Sequence, residues 1–254
     1  MNPKLPIHSG ITFLASAIVG HPRSFARDAR QALTSWHTYK VVGELPDLKG
    51  SDHSWLITIN HYTRPGFDVW WNIFVLSAYF PVEIRWITTS ALESDNPFHK
   101  VLYTPLTRWF LKRLGKVYGF FQMPAMPPRP EEHMKRAMAI RSILRSVRES
   151  EFPVIGFAPE GTDWNDGNLM RPSPGTGRFL ASLANEKLVF LPVGTYEEAG
   201  NFIVKIGSPY RLKINPSWSH QDQDAAVIDE VMGRIAACRP RSMRAINPTR
   251  TYKS

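Results

Sequence analysis

In the stretch ITINHYTRPGFDVWWN, residues 57–72, one histidine, His61, directly follows a β-like run. One aspartate, Asp68, stands seven residues later at the mouth of an aromatic helical run. A histidine titrates near neutrality and acts as a general base when a carboxylate on its second ring nitrogen fixes the tautomer. His61 and Asp68 could form such a pair. Each also has a plainer role: His61 as a hydrogen-bonded strand-end residue, and Asp68 as a helix N-cap, a position that favours Asp. Two more stretches follow strand-like runs: Pro159, Glu160, Gly161 and Thr162 after VIGFA, and Pro192, Val193, Gly194 and Thr195 after LVFL. Sites in open α/β sheets gather at the carboxyl ends of strands, so all three loops could meet on one edge.

Hydrophobic patterning supplies the elements that would position them. Runs rich in β-branched and aromatic residues recur: YKVVGEL from Tyr39, WLITIN from Trp55, EIRWITT from Glu83 and KVYGFF from Lys116. PVIGFAP from Pro153, LVFLPVG from Leu188 and NFIVKIG from Asn201 follow. Helical patterns lie between most of them, over 68–80, 104–114, 130–149, 175–185 and 221–237. This alternation predicts an α/β fold, a single layered domain with a mostly parallel central sheet flanked by helices. The near-continuous apolar runs WLITI and VFLPV suit strands covered on both faces. The aromatic run Trp70, Trp71, Phe74, Tyr79 and Phe80 reads as core. The chain divides into an N-terminal helical segment (1–36), a main domain (37–238) and a basic tail (239–254).

With 254 residues, one large α/β domain is the natural content. The single cysteine, Cys238, excludes an internal disulfide and a cysteine zinc cluster, and reads as a small apolar filler in an amphipathic C-terminal helix. Lys and Arg outnumber Asp and Glu by 31 to 22, a net charge of +9 that favours anionic partners. Between residues 99 and 130 there is no acid, while Lys100, Arg108, Lys112, Arg113, Lys116 and Arg129 alternate with bulky apolar residues. That interleaving suits an anionic membrane surface. The tail (Arg239, Arg241, Arg244, Arg250 and Lys253) reads more simply as solvated. ITFLASAIVG, residues 11–20, is about half the ~20 residues needed to span a bilayer, so it is expected as an interfacial or a core helix. A cleaved signal peptide is not expected there.

Taken together, Asn60-His61, the nearby Asp68 and the downstream FAPEGT resemble the glycerolipid acyltransferase family, whose best-known members acylate lysophosphatidic acid. That family carries Asn-His, four residues, then Asp, and later Phe-Pro-Glu-Gly-Thr. Phe157, Pro159, Glu160, Gly161 and Thr162 match the latter with Ala158 inserted. NDGNLMRPSPGTGRFLASLA resembles the family's passage into the next helix, and Pro192 in VFLPVG its later proline motif. Order, spacing and strand-end placement agree over about 55–212. The resemblance implies an acyltransferase domain at 37–238 on the cytoplasmic face of a membrane, moving a fatty acyl group from acyl-CoA or acyl carrier protein to a lysophospholipid-like hydroxyl. It implies His61 as base and Asp68 as its partner, with Asn60, Glu160, Gly161, Thr162 and Pro192 in the acceptor site. No metal and no cofactor beyond the thioester co-substrate is expected.

This chain departs from the family pattern twice. Six residues separate His61 from Asp68, so the family position of the aspartate falls on Gly66; the turn-forming pair Pro65-Gly66 could absorb the difference. Family members also carry phosphate-binding arginines where this chain has Gln122-Met123 and Asp163. Arg is the natural bidentate phosphate ligand, and an Asp there would repel phosphate. Arg64, Arg171 and Arg178 are the candidate substitutes; otherwise the acceptor is not a simple glycerol phosphate. One alternative is a lipid-binding relative with impaired catalysis. Another, a nucleic-acid-binding protein, rests on charge alone and lacks any recognisable module, so nucleic acid is not expected as a partner. A Gly-x-Ser-x-Gly elbow, His-Glu-x-x-His and a phosphate-cradling Gly-x-x-x-x-Gly-Lys are all absent, and DWNDGN lacks calcium-ligand spacing.

Overall fold

Five consecutive residues, Trp55–Ile59 (β2), are buried, as their near-continuous apolar character predicts. The computed structural model describes residues 2–50, 52–90, 97–124, 132–151, 153–161 and 168–248, and the side chains of all of these except 97–103. β2 lies in a seven-stranded sheet with β1 (Tyr39–Val42), β3 (Arg85–Thr89), β4 (Phe121–Met123), β5 (Val154–Phe157), β7 (Val189–Glu198) and β8 (Asn201–Ile206), in the order β1-β8-β7-β2-β5-β3-β4. All neighbours pair in parallel except β7 and β8, which form an antiparallel hairpin across Ala199-Gly200. A second, two-stranded sheet joins β6 (Leu169–Met170) to β9 (Ile246–Asn247). The mostly parallel sheet flanked by helices is the fold class the sequence predicts.

Side chains alternate across the sheet with the period of two that strands impose. Trp55, Ile57 and Ile59 enter one core with Phe13 of α1 (Ile7–Val19), Phe25 of α2 (Phe25–Ala32) and Phe74 of α3 (Trp70–Tyr79). Leu56 enters the other, with Ile143 of α5 (His133–Glu149), Phe179 of α6 (Thr176–Asn185) and Val231 of α7 (His220–Ala237). Trp71, Phe74 and Phe80 are core residues as expected, whereas Tyr79 is exposed.

Three expectations need correction. KVYGFF is not a strand from Lys116: α4 (Pro97–Tyr118) runs through Val117 and Tyr118, and the strand begins only at Phe121. Gly119 sits in the left-handed region (φ 69°), and the Phe120 N–H returns to the Gly115 carbonyl at 2.9 Å, a glycine-terminated helix end. Apolar content did not separate helix from strand there; the stop did. Residues 192–195 are not a loop either, because β7 continues to Glu198 and gains β8 as a hairpin partner. The basic segment after Cys238 is a solvated tail only in part: Arg241 and Arg244 are exposed, but Arg239 is buried and β9 pairs with β6, while Arg250 and Lys253 lie outside the described residues.

Candidate active site

β2 is flanked by β5 and β7, so the ends of these three strands are neighbours, as the loop-convergence argument requires. Asn60 and His61 leave the end of β2. The Asn60 side chain behaves like one more rung of the ladder. Its N–H donates to the Thr195 carbonyl at 3.0 Å, and its oxygen accepts the Thr195 backbone N–H at 2.6 Å and hydroxyl at 3.2 Å. Asn60 is buried, so this amide is spent on fixing β2 to β7 rather than on a substrate.

Glu160, beyond β5, fixes the next residue. One carboxylate oxygen accepts the His61 backbone N–H at 2.8 Å, and the other accepts the Met170 N–H at 2.8 Å. The side chain is 4% exposed, and burial pushes its pKa above the ordinary carboxylate range. The two backbone bonds, the His61 charge and the positive charge of Arg239 oppose that rise. A buried carboxylate holding two backbone donors is a positioning device: it sets where the imidazole starts. Arg239 follows Cys238 at the end of α7 and is 1% exposed. No local signal marks it, because it comes to the site from 79 residues beyond Glu160 through the packing of α7 on β7.

The loop from His61 to Asp68 is pinched at its tip. Arg64 and Phe67 exchange backbone bonds at 3.1 and 2.8 Å around Pro65-Gly66, with Gly66 at φ 78°. Proline then left-handed glycine is the type II turn pair, so the two residues that lengthen the loop form a closed turn. Phe67 plugs the core against Trp36, Tyr62 and Phe202. The Arg64 guanidinium pairs with Glu197 on β7, with Nε at 2.9 Å from both carboxylate oxygens. From α3, Asn72 donates to the Tyr62 carbonyl at 3.0 Å.

Asp68 is exposed and His61 is half-buried. It does not cap α3: the N-cap is Val69, without a side-chain cap bond, and only the Asp68 carbonyl is used, accepting the Trp71 N–H at 3.1 Å. Among the described residues no hydrogen bond or ion pair reaches the Asp68 carboxylate.

The other expected site residues disperse. Pro192 is buried inside β7 opposite Thr58, its carbonyl accepting the Gly207 N–H at 2.9 Å. Gly161 is exposed just after Glu160, while Thr162 and Asp163 lie outside the described residues. Of the candidate phosphate ligands, Arg64 is held by Glu197 and Arg171 by Asp229 of α7 at 2.6 Å. Arg178 is exposed on the first turn of α6, with no ion pair among the described residues. Asp224 already occupies that helix start, accepting the N–H groups of Gly175 at 2.8 Å and Arg178 at 2.9 Å. Gln122 donates to the Leu111 carbonyl, and Met123 is buried in the core.

This arrangement offers a histidine on a fixed backbone at a strand end, with an uncommitted carboxylate seven residues on. It can take a proton from a substrate hydroxyl and return it to a leaving group. Among the described residues no cluster of His, Cys, Asp and Glu could hold a metal ion. A family model described as Acyltransferase matches residues 40–196, more than half of the chain. No curated protein matches the chain.

Proposed function

The chain belongs to the acyltransferase family, and from that premise we propose that it moves a fatty acyl group from an acyl-CoA or acyl carrier protein thioester to the hydroxyl of a lysolipid-like acceptor at a membrane surface. The observation that carries the assignment of roles is the double fixation of the β2 end, by Asn60 on Thr195 and by Glu160 on the His61 backbone. A general base needs a fixed origin more than it needs a strong one.

His61 takes the proton as the acceptor oxygen attacks the thioester carbonyl. The C–S bond breaks, and the imidazolium returns its proton to the departing thiolate. The acceptor's hydroxyl fills the place that serine holds in a Ser-His-Asp triad, so no acyl-enzyme intermediate forms. Asp68 orients the imidazolium and offsets its charge once substrate closes the site; hydrogen bonds of this kind often tighten only in the substrate complex.

The engagement of Arg64 and Arg171, together with Gln122 and Met123 in place of an arginine, favours an acceptor other than a bare phosphate monoester. Thioester consumption measured across a panel of lysolipids tests the proposal. Turnover that His61→Ala abolishes supports it. Lipid binding without turnover on any acceptor overturns it in favour of a non-catalytic relative.

A further inference from the structure

α1 wears its polarity inside out. Ser9 and Ser16 are buried with Phe13 and Ala17, while Ile7 (84% exposed), Ile11 (62%), Leu14 (52%) and Ile18 (59%) point outward. Those four are spaced i, i+4, i+7 and i+11, one continuous helical stripe. Phe13 fixes the orientation: its ring lies 5.5 Å from Phe74 and 6.0 Å from Tyr118, so the helix cannot roll its isoleucines inward without withdrawing that anchor. At 13 residues α1 is about 20 Å long, too short to cross a bilayer. Among the described residues no helix is long and apolar enough to do so.

The neighbouring element is α4, which packs on α1. Arg113 ties the two together, donating to the Ala17 carbonyl at 2.7 Å and the Ile18 carbonyl at 2.6 Å at the end of α1. On α4, Leu106 and Trp109 are exposed beside the exposed cations Arg108, Lys112 and Lys116. Neither segment carries an acid: none occurs in residues 2–27 or 97–118. At its other end, the chain preceding α1 touches the catalytic loop, where Asn2 accepts a hydrogen bond from Arg64 beside the Pro65-Gly66 turn.

We propose that this α1–α4 face seats the protein on an anionic phospholipid bilayer, with α1 lying in the interface plane and the His61–Asp68 loop next to the lipid. Three observations select that occupant. An apolar stripe rimmed by Trp, Lys and Arg matches the depth profile of a membrane interface, with isoleucines in the acyl boundary, Trp at the headgroups and cations on lipid phosphates. The acid-free composition is complementary to an anionic leaflet. The same composition opposes a second copy, because a self-paired face would bring like charges together. The inference deepens the proposed acyl transfer and rests on it only for the acceptor's approach: a lysolipid in the bilayer would reach His61 without leaving the membrane.

The test uses the full chain, phosphatidylglycerol-containing vesicles and pure phosphatidylcholine vesicles. Wild-type protein should co-sediment with the anionic vesicles and be released by salt. Ile11→Asp combined with Ile18→Asp should lower the bound fraction at least ten-fold with an unchanged melting temperature. Arg108→Gln, Lys112→Gln and Lys116→Gln together provide a second variant that leaves the apolar stripe intact; it should weaken binding several-fold and flatten the salt dependence. Turnover of a monomeric short-chain lysolipid should survive in both, while turnover of a vesicle-embedded acceptor falls in step with binding. Unchanged vesicle binding in both folded variants overturns the proposal. So does a wild-type dimer that the Ile11/Ile18 variant converts to a monomer without loss of vesicle binding, which would make the face a subunit contact. If binding follows the prediction but no acceptor turns over, the docking face stands and the acyl-transfer reading falls.

Discussion

The Glu160 carboxylate accepts the backbone N–H of His61 at 2.8 Å, and its second oxygen accepts that of Met170 at the same distance. The residue that begins the Glu-Gly-Thr motif therefore grips the main chain of the candidate base, not its imidazole. Asn60 does the equivalent one residue earlier through Thr195. The backbone of His61 is thus fixed from both sides of β2.

Because that grip uses the backbone, His61→Ala keeps it. Turnover should fall by about 10²–10⁴, the usual worth of general base catalysis, with the melting temperature unchanged. Wild-type turnover in the variant would remove His61 from the mechanism.

Asp68→Asn discriminates cleanly, since Val69 rather than Asp68 caps α3 and no cap is at stake. Stability should stay within about 0.5 kcal/mol, as for an ordinary surface change. The value of kcat should drop at least ~10-fold, as expected when the group orienting a general base is lost. Equal kcat in wild type and variant would leave Asp68 a surface residue.

In Glu160→Gln, the amide can accept only one of the two backbone N–H groups, and its NH₂ faces the other donor. The lost charge-assisted bond is worth about 1.5–3 kcal/mol; felt fully in the barrier, that is roughly 10–100-fold in turnover. Titration adds a second signature. Burial raises the Glu160 pKa in the folded state above the ordinary 4.5, so the folded protein binds this proton more tightly than the unfolded chain. The associated stability is complete below 4.5 and is lost as pH rises through the raised value. Chemical denaturation should therefore show wild type losing stability relative to Glu160→Gln as pH increases from about 4.5. A pH-independent difference would mean that the carboxylate is not desolvated as described.

Asn60→Ala strands the backbone N–H and carbonyl of buried Thr195. Each unsatisfied group costs about 1–3 kcal/mol, so urea denaturation should show a loss of at least ~2 kcal/mol. Activity loss without destabilisation would instead place Asn60 against substrate.

Acceptor choice should follow the arginines. Arg64 and Arg171 are engaged by Glu197 and Asp229, so lysophosphatidic acid should be a poorer acceptor than a lysolipid with a zwitterionic or uncharged head group when both compete under saturating thioester. A preference for lysophosphatidic acid, abolished by Arg178→Ala, would restore phosphate recognition through α6.

Local sequence determined the central strands such as β2 and β5, the α/β class and the pair of residues most suited to acid–base chemistry. Burial on two faces forces an apolar run such as WLITI, and Pro65-Gly66 forces a tight turn whatever surrounds it. Roles that depend on distant partners were decided only by the tertiary structure. Asn60 and Glu160 both look like substrate ligands beside His61; folding brings Thr195 and Met170 to them and turns them into backbone clamps. Arg239 looks like part of a solvated tail until α7 packs on β7 and carries it inside. Residues 192–195 look like a loop until β8 folds back to extend the strand. The apolar stripe of α1 is the same case reversed: periodicity marks it as a face, but only the position of Phe13 decides which face looks outward. A hydrogen bond or a burial is a property of two groups, and the sequence lists them one at a time.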